Sequence, residues 1–130
     1  MRVMIVDDEP LCLDDTVYML SRYEDVEIAG AFTKPLEALE AVSAICPDVL
    51  FLDYSMPKMN GAELAKKVLA QFPRAKLVFV TAFAKELSEV KNVPIFASLL
   101  KPLDDVRLRE VLARLRAGPS CEQGTQIRNY

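Results

Sequence analysis

The chain has 130 residues, of which 52% are hydrophobic, and its formal net charge is -3. This length suits one domain with a real core, and the hydrophobic content excludes a disordered chain. The mildly acidic balance disfavours nucleic acid or an anionic membrane as a partner of this chain itself. The apolar runs are too short to cross a bilayer and no basic-then-apolar leader opens the sequence, so we expect a cytoplasmic protein.

The side chains that the sequence lacks narrow its chemistry. It contains no histidine, which excludes acid–base catalysis by a histidine of this chain and most zinc sites. The three cysteines, Cys12, Cys46 and Cys121, lie far apart without the spacing of metal ligands. We therefore expect them to be reduced.

Short apolar runs alternate with helical patterns along the chain. Apolar runs predict five strands, at residues 3–6, 26–32, 49–52, 77–80 and 95–100. Apolar stripes at helical spacing predict helices around 13–20, 36–42, 64–72 and 108–115, with a short, weak helix between about Ala84 and Lys91. This alternation predicts an α/β fold, with a parallel sheet covered on both faces by helices. From Gly118 the apolar periodicity stops, so we expect one domain over residues 1–117 and a tail or linker over 118–130.

Polar side chains follow four of the five predicted strands. The residues at these strand ends are Asp7, Asp8 and Glu9, then Asp53, Thr81 and Lys101. Because the carboxyl ends of parallel strands meet at one edge of the sheet, we expect these side chains to converge. Carboxylates this close either raise each other's pKa or bind a hard cation such as Mg²⁺ or Mn²⁺.

The lysine and the threonine do not belong in a cage of carboxylates. They are suited to donate hydrogen bonds to a second anion, and a phosphoryl group held against the cation fits best. One carboxylate could then act as the nucleophile. Each residue taken alone is also typical of a helix cap, a turn or a solvated charge, so the prediction depends on their convergence.

Four motifs in this order, VDDEP, LDYSMPKMNG, VTA and LLKP, resemble the receiver domain of two-component response regulators. The resemblance covers about residues 1–117. It implies a single doubly wound (βα)5, flavodoxin-like domain with a five-stranded parallel sheet in the order 2-1-3-4-5. It also implies a phosphorylation-dependent switch rather than a conventional enzyme, although a receiver catalyses its own phosphorylation and slow dephosphorylation.

The resemblance assigns roles to the acidic residues. Asp53 would be the phosphoacceptor, which takes a phosphoryl group from the phosphohistidine of a histidine kinase or phosphotransfer protein. Asp8 would bind Mg²⁺ directly and Asp7 through water, with Mn²⁺ as an alternative ion. The backbone carbonyl of Ser55 would complete the protein ligands together with Asp53. Glu9 would belong to the start of the first helix and not to the metal site.

The resemblance also assigns the groups that hold the phosphoryl oxygens. Thr81 and Lys101 would bind them, helped by backbone N–H groups near Tyr54 and Ala82. The Lys101–Pro102 bond would be the cis peptide of the family and would direct the lysine inward.

One position departs from the family pattern. Receivers commonly carry Tyr or Phe three residues before the lysine, as a rotamer switch coupled to the threonine, and here that residue is Ser98. We expect Phe96, two residues earlier, to point to the same face of a regular strand. Phe83 would flank the site instead. We predict that Thr81 still moves toward the phosphoryl group but that the signal travels by a different repacking.

Three other classes of protein stay open at this point. A haloacid-dehalogenase-type phosphatase would need a second Asp at position 55, which is Ser55. A flavodoxin-like flavin carrier would need a Ser/Thr/Gly-rich phosphate loop where the sequence has DDEP. The third class, a receiver-like module that only binds partners, would not need the intact acids, Thr81 and Lys101.

The output of the domain is the least determined part of the prediction. The family resemblance implies a surface for homodimerisation or docking, formed by the fourth helix, the fifth strand and the fifth helix. Nothing after Gly118 resembles a DNA-binding element. Either the protein acts through partners, or its output domain is absent from this sequence.

Overall fold

The computed structural model describes residues 1–118, where five strands alternate with four α-helices and one 3₁₀ helix. The strands are β1 (Arg2–Val6), β2 (Glu27–Phe32), β3 (Val49–Asp53), β4 (Lys76–Thr81) and β5 (Ala97–Leu100). The α-helices are α1 (Pro10–Ser21), α2 (Pro35–Ile45), α3 (Gly61–Gln71) and α4 (Asp105–Arg116). The 3₁₀ helix spans Ala84–Glu89, between β4 and β5. The predicted tail falls, from residue 119 on, outside the described residues, as does Cys121.

The sheet confirms the predicted fold class. Its strands are parallel and ordered β2-β1-β3-β4-β5. In register, Val6 of β1 lies opposite Leu52 of β3, and Asp53 lies opposite Val80 of β4. The carboxyl ends of β1, β3 and β4 therefore meet at one edge, and the polar residues at these strand ends are brought together there.

Two differences from the prediction lie between β4 and Lys101. The fourth predicted helix is a single short 3₁₀ segment, in which Leu87 is buried but Lys85 and Ser88 are exposed. Of the side chains described in this segment, only that of Leu87 is an apolar anchor, and one anchor does not make the repeating stripe on which an α-helix packs. The fifth strand begins at Ala97 rather than at residue 95. Phe96 precedes it and already donates its N–H to the carbonyl of Leu77 at 2.8 Å.

Alternating side chains of the strands form two hydrophobic layers, one on each face of the sheet. Phe51 and Val78 lie in the layer beneath α1 and α4. Leu50, Leu52 and Phe79 lie in the layer beneath α2 and α3. Because both faces are covered, the central strands are almost continuously apolar, and the chain can present polar groups where these strands end.

The loop after β3 returns the chain to the sheet edge through a close backbone contact. Gly61 begins α3, and its N–H donates to the carbonyl of Tyr54 at 2.8 Å. The preceding residue, Asn60, caps the helix in a reciprocal pair with Glu63. These contacts fix the loop that directly follows Asp53.

Among residues 1–118, none of the helices is both long and apolar enough to cross a membrane.

We predict that Gly61→Ala destabilises the protein more than Gly30→Ala. A Cβ at Gly61 would collide with the backbone oxygen of Asp53 and lie 2.9 Å from the Phe79 ring, and the backbone cannot easily yield. A Cβ at Gly30 would meet the ends of two side chains, which are free to adjust. Overpacking of this kind costs about 1–3 kcal/mol, so urea unfolding should show a loss of that size for Gly61→Ala. Equal losses for the two variants would contradict this explanation.

Candidate functional site

Three carboxylates converge at the edge formed by β1 and β3. Asp7 and Asp8 directly follow β1, and Asp53 ends β3. One carboxylate oxygen from each lies within 4.8 Å of the others. Asp7 and Asp53 are buried, with 2% and 5% of their surface exposed, whereas Asp8 is half-buried. Buried acids this close must share protons or be compensated by positive charge.

Lys101 supplies positive charge to this cluster from the end of β5. Its Nζ lies 2.9 Å from an Oδ of Asp7 and 3.6 Å from an Oδ of Asp53. The Lys101–Pro102 peptide bond is cis. The N–H of Lys101 also donates to the carbonyl of Thr81 at 2.8 Å, which continues the pairing of β4 and β5 by one residue. The lysine is thus held by its backbone as well as by its ion pairs.

Burial and repulsion govern the protonation of Asp53. Desolvation by burial, followed by the negative charge of Asp7, raises the pKa of Asp53 from 3.8 to about 7, and Asp8 adds to this rise. Lys101 opposes the rise without cancelling it. Burial acts to lower the pKa of Lys101, but the hydrogen bond to Asp7 and the charge of Asp53 outweigh it, and the pKa is raised. Lys101 is therefore a cation, while Asp53 holds a proton readily.

The donor set fits a hard divalent cation. It consists of carboxylate oxygens, two of the three acids are buried, and their mutual repulsion is what a cation such as Mg²⁺ relieves. Ser55 lies two residues beyond Asp53 in the loop before α3 and is exposed. Glu9 is exposed at the N-cap of α1, and its backbone N–H donates to Asp7 at 3.0 Å. Glu9 thus orients an acid of the site through its backbone, a contact that the sequence pattern did not predict.

The site is accessible from solvent on the side of Asp8. A cavity of about 540 Å³ begins there and is bounded by Pro10 at the start of α1, Pro35 at the start of α2, and the lysines Lys34 and Lys58. Glu37 and Glu40 also line this cavity, so the two lysines give its entrance no net positive charge.

Thr81 lies at the end of β4 and is completely buried. Its hydroxyl donates to the Oε1 of Glu86 at 3.0 Å and accepts a hydrogen bond from the N–H of Phe83 at 3.3 Å. The side chain of Phe83 is 67% exposed. The partnership with Glu86 was not predicted, because no motif relates a threonine at a strand end to a residue five positions later.

Ser98 and Phe96 lie on opposite faces of the sheet, so the expectation that they share a face is wrong. Ser98 pairs with Phe79, between Ala97 and Leu99, whose side chains occupy the layer beneath α1 and α4. Phe96 also belongs to that layer, and the guanidinium of Arg114 lies 4.5 Å from its ring centre. Because β5 begins at Ala97, strand alternation does not extend back to Phe96.

The two residues proposed to supply backbone N–H groups directly follow the neighbouring strands β3 and β4. Tyr54 directly follows Asp53, and its ring packs edge-on against Phe79 with centres 5.8 Å apart. Ala82 directly follows Thr81 and is exposed. Both positions lie at the same sheet edge as the carboxylates.

Comparison with known proteins agrees with this architecture. The sequence matches the family model of the response regulator receiver domain over residues 3–113. It is 41% identical over 115 residues to the transcriptional regulatory protein BtsR of Escherichia coli (strain K12), a match that covers 88% of this chain and 48% of BtsR. The chain spans about half the length of the curated relatives that it matches.

Two solved structures illustrate the similarity of fold. The signal receiver domain of NarL from Mycobacterium tuberculosis has a TM-score of 0.78 and 28% identity, covering 90% of this chain and 96% of that one. The isolated receiver domain of RcsB from Salmonella enterica serovar Typhimurium, with the phosphomimetic BeF3-, has a TM-score of 0.81 and 28% identity, covering 91% and 89%. The chain belongs to the response regulator receiver domain family of two-component signalling.

We predict that Asp53→Asn stabilises the protein when no divalent cation is present. The pKa of Asp53 is 3.8 in the unfolded chain and about 7 in the native state. At a pH between these two values, the native state therefore binds more protons than the unfolded state. The free energy of unfolding of the wild type therefore falls as the pH rises through this window. An asparagine at this position removes that loss, so the variant should gain on the order of 1–2 kcal/mol over the wild type at about pH 8 and less at about pH 5.

Urea unfolding in the presence of a chelator measures this difference. Asp15→Asn, a change at an exposed position on α1, is the matched control and should behave like the wild type at both pH values. Added Mg²⁺ should reduce the advantage of Asp53→Asn, because it stabilises a site that keeps all three acids. A variant that is less stable than the wild type at about pH 8 without cation would contradict the account of repulsion.

Proposed function

We propose that this chain is a phosphorylation-dependent switch and that Asp53 is its phosphoacceptor. The observation that carries the proposal is the buried Asp53 carboxylate, which lies between two further acids and a lysine. The donor would be the phosphohistidine of a histidine kinase or of a phosphotransfer protein. Asp53, Thr81 and Lys101 would perform the transfer.

The transfer itself is a displacement at phosphorus. An oxygen of the Asp53 carboxylate forms the new P–O bond while the P–N bond of the donor breaks, and the electron pair leaves on the imidazole nitrogen, which takes a proton from solvent. A divalent cation held by Asp7, Asp8, Asp53 and the carbonyl of Ser55, Mg²⁺ or alternatively Mn²⁺, would neutralise the charge of the acids and of the incoming group.

The remaining groups would hold the phosphoryl oxygens. Lys101 already sits within 3.6 Å of Asp53 and carries the positive charge that a phosphoryl group requires. The hydroxyl of Thr81 and the N–H groups of Tyr54 and Ala82 would donate to the other oxygens. A water molecule would later hydrolyse the acyl phosphate slowly, which resets the switch.

The output would pass to a partner or to a further domain. The chain spans about half of the length of BtsR, a transcriptional regulatory protein, and the RcsB response regulator of Salmonella has been solved bound to a promoter. We propose that residues 1–117 form the regulatory domain, in the cytoplasm, and that 118–130 are a tail or a linker to an output domain. The face formed by the 3₁₀ helix, β5 and α4 would serve for dimerisation or docking.

Labelling with acetyl phosphate tests the proposed function directly. The wild type with Mg²⁺ should gain the mass of one phosphoryl group, and Asp53→Asn should gain none, because its amide is not a nucleophile. Asp15→Asn should be labelled like the wild type, which controls for a general loss of acidic charge. Labelling that persists in Asp53→Asn would place the acceptor elsewhere. No labelling of the folded wild type under any metal condition would favour a module that only binds partners.

A second prediction concerns the threonine hydroxyl. Thr81→Ala should slow the labelling of Asp53 by about 10²-fold, since one preorganised donor to the transferred group is lost. Thr81→Ser keeps the hydroxyl and should retain most of the rate. The measurement is the initial rate of labelling of each variant, followed by mass spectrometry at a fixed concentration of Mg²⁺. Equal labelling rates for Thr81→Ala and Thr81→Ser would show that the Thr81 hydroxyl takes no part in the transfer.

A further inference from the structure

The buried hydroxyl of Thr81 has one proton, and that proton is committed to Glu86. The distance from the hydroxyl oxygen to the Oε1 of Glu86 is 3.0 Å. The hydroxyl also accepts from the N–H of Phe83. Both partners belong to the segment after β4, and neither is one of the three clustered acids. A hydroxyl donates one hydrogen bond at a time, so Thr81 can donate to a phosphoryl oxygen only after it leaves Glu86.

We propose that Glu86 is a latch that holds Thr81 in the unphosphorylated conformation and couples phosphorylation to movement of the 3₁₀ helix. The inference rests on the proposed function, because it assigns the phosphoryl group of Asp53 as the competitor for the hydroxyl. Phosphorylation exchanges the bond from Thr81 to Glu86 for a bond from Thr81 to phosphoryl oxygen. Glu86 is therefore a positioning residue, which acts on the site through Thr81.

Charge drives this exchange in the required direction. Phosphorylation turns the Asp53 carboxylate, with one negative charge, into an acyl phosphate with about two, so the site gains about one negative charge, carried on oxygens beyond the carboxylate. The carboxylate of Glu86 would then face a like charge across the threonine that it held, and it would lose its hydrogen-bond donor at the same time. Glu86 is half-buried, and its neighbour Leu87 is packed in the layer beneath α2 and α3. Release of Glu86 consequently acts on a helix in which, among the side chains that the structure describes, Leu87 is the buried one.

The latch accounts for the missing aromatic residue of the family pattern. The strand position at which receivers commonly carry Tyr or Phe is Ser98, and Phe96 lies on the opposite face of the sheet. Neither residue can fill the space vacated by Thr81 with a ring. The contact between Thr81 and Glu86 supplies another link between the same threonine and the segment after β4.

Binding of beryllofluoride in the presence of Mg²⁺ tests the latch, with calorimetry as the measurement. Glu86→Ala frees the hydroxyl in advance, so the variant should bind beryllofluoride about fivefold more tightly than the wild type, the equivalent of one net hydrogen bond of ~1 kcal/mol. Glu86→Gln keeps an acceptor oxygen but loses the charge, so its affinity for beryllofluoride should lie between those of the wild type and Glu86→Ala. Glu110→Ala, an exposed change on α4, is the charge-matched control and should leave the affinity unchanged.

A double-mutant cycle separates the latch from a structural role. In the Thr81→Ala background no hydroxyl remains to be released, so Glu86→Ala should leave the affinity for beryllofluoride unchanged. Hydrogen exchange gives an independent readout. The amides of residues 85–88 should exchange faster in the wild type when beryllofluoride is bound, and faster in Glu86→Ala without it.

The outcomes distinguish the latch from the proposed function on which it rests. If the folded wild type neither binds beryllofluoride nor is labelled at Asp53, both fall. Two results would overturn the latch and leave Asp53 as the phosphoacceptor. In the first, the wild type and Glu86→Ala bind beryllofluoride with the same affinity. In the second, Glu86→Ala tightens the binding of beryllofluoride as much in the Thr81→Ala background as in the wild type. Should Glu86→Ala fail to fold, Glu86→Gln decides in its place, and an affinity equal to that of the wild type would overturn the latch.

Discussion

The repulsion between three clustered acids, and its compensation by one lysine, is the constraint on which the site depends. The acid oxygens lie within 4.8 Å of one another, and Lys101 contacts both Asp7 and Asp53. Because burial and the neighbouring charges raise the pKa of Asp53 to about 7, the cluster is not electrically satisfied by the protein alone. Such a set of carboxylates could hold a divalent cation, and in the proposed function that cation would allow the site to accept a phosphoryl group.

The parallel sheet makes this arrangement possible and rigid. Asp7 and Asp53 lie at the ends of strands that are neighbours in space but are separated in sequence by a complete β-α unit, and Lys101 arrives from the edge strand β5. The two hydrophobic layers pack on these strands from both faces, which holds the strand ends that carry Asp7 and Asp53 close together. In the proposed switch the element that moves is instead the 3₁₀ helix, whose described side chains contact the domain through buried Leu87 and through Glu86.

Much of this could be predicted from the sequence because its signals are local. The run Val49–Leu52 is fully apolar and ends in Asp53, which identifies both a buried strand and the place where its polar end lies. The start of β5 is harder to predict from the sequence, because residues 95 and 96 are apolar but lie before the first strand residue, Ala97. A pattern of apolar residues does not reveal where strand pairing begins, and the misplacement of Phe96 results from that.

The contact between Thr81 and Glu86 could not have been predicted for a different reason. It depends on the path of a short 3₁₀ segment, and such a path is set by one or two tertiary contacts rather than by a repeating pattern. The orientation of Asp7 by the N–H of Glu9 is similar, since any residue other than proline at that position could donate the same hydrogen bond. Sequence patterns thus predicted which side chains lie together at the sheet edge, while the structure revealed the backbone and side-chain groups that contact them.

The most direct measurement of the central claim is the pKa of the Asp53 carboxyl, followed by carbon-13 NMR with and without Mg²⁺. Repulsion among the three acids predicts that Asp53 titrates at about 7 in the metal-free protein, and that its pKa falls well below that value when Mg²⁺ is bound, because the cation favours the carboxylate. An ordinary carboxyl pKa that does not respond to Mg²⁺ would show that the three acids are not coupled, and it would contradict the account.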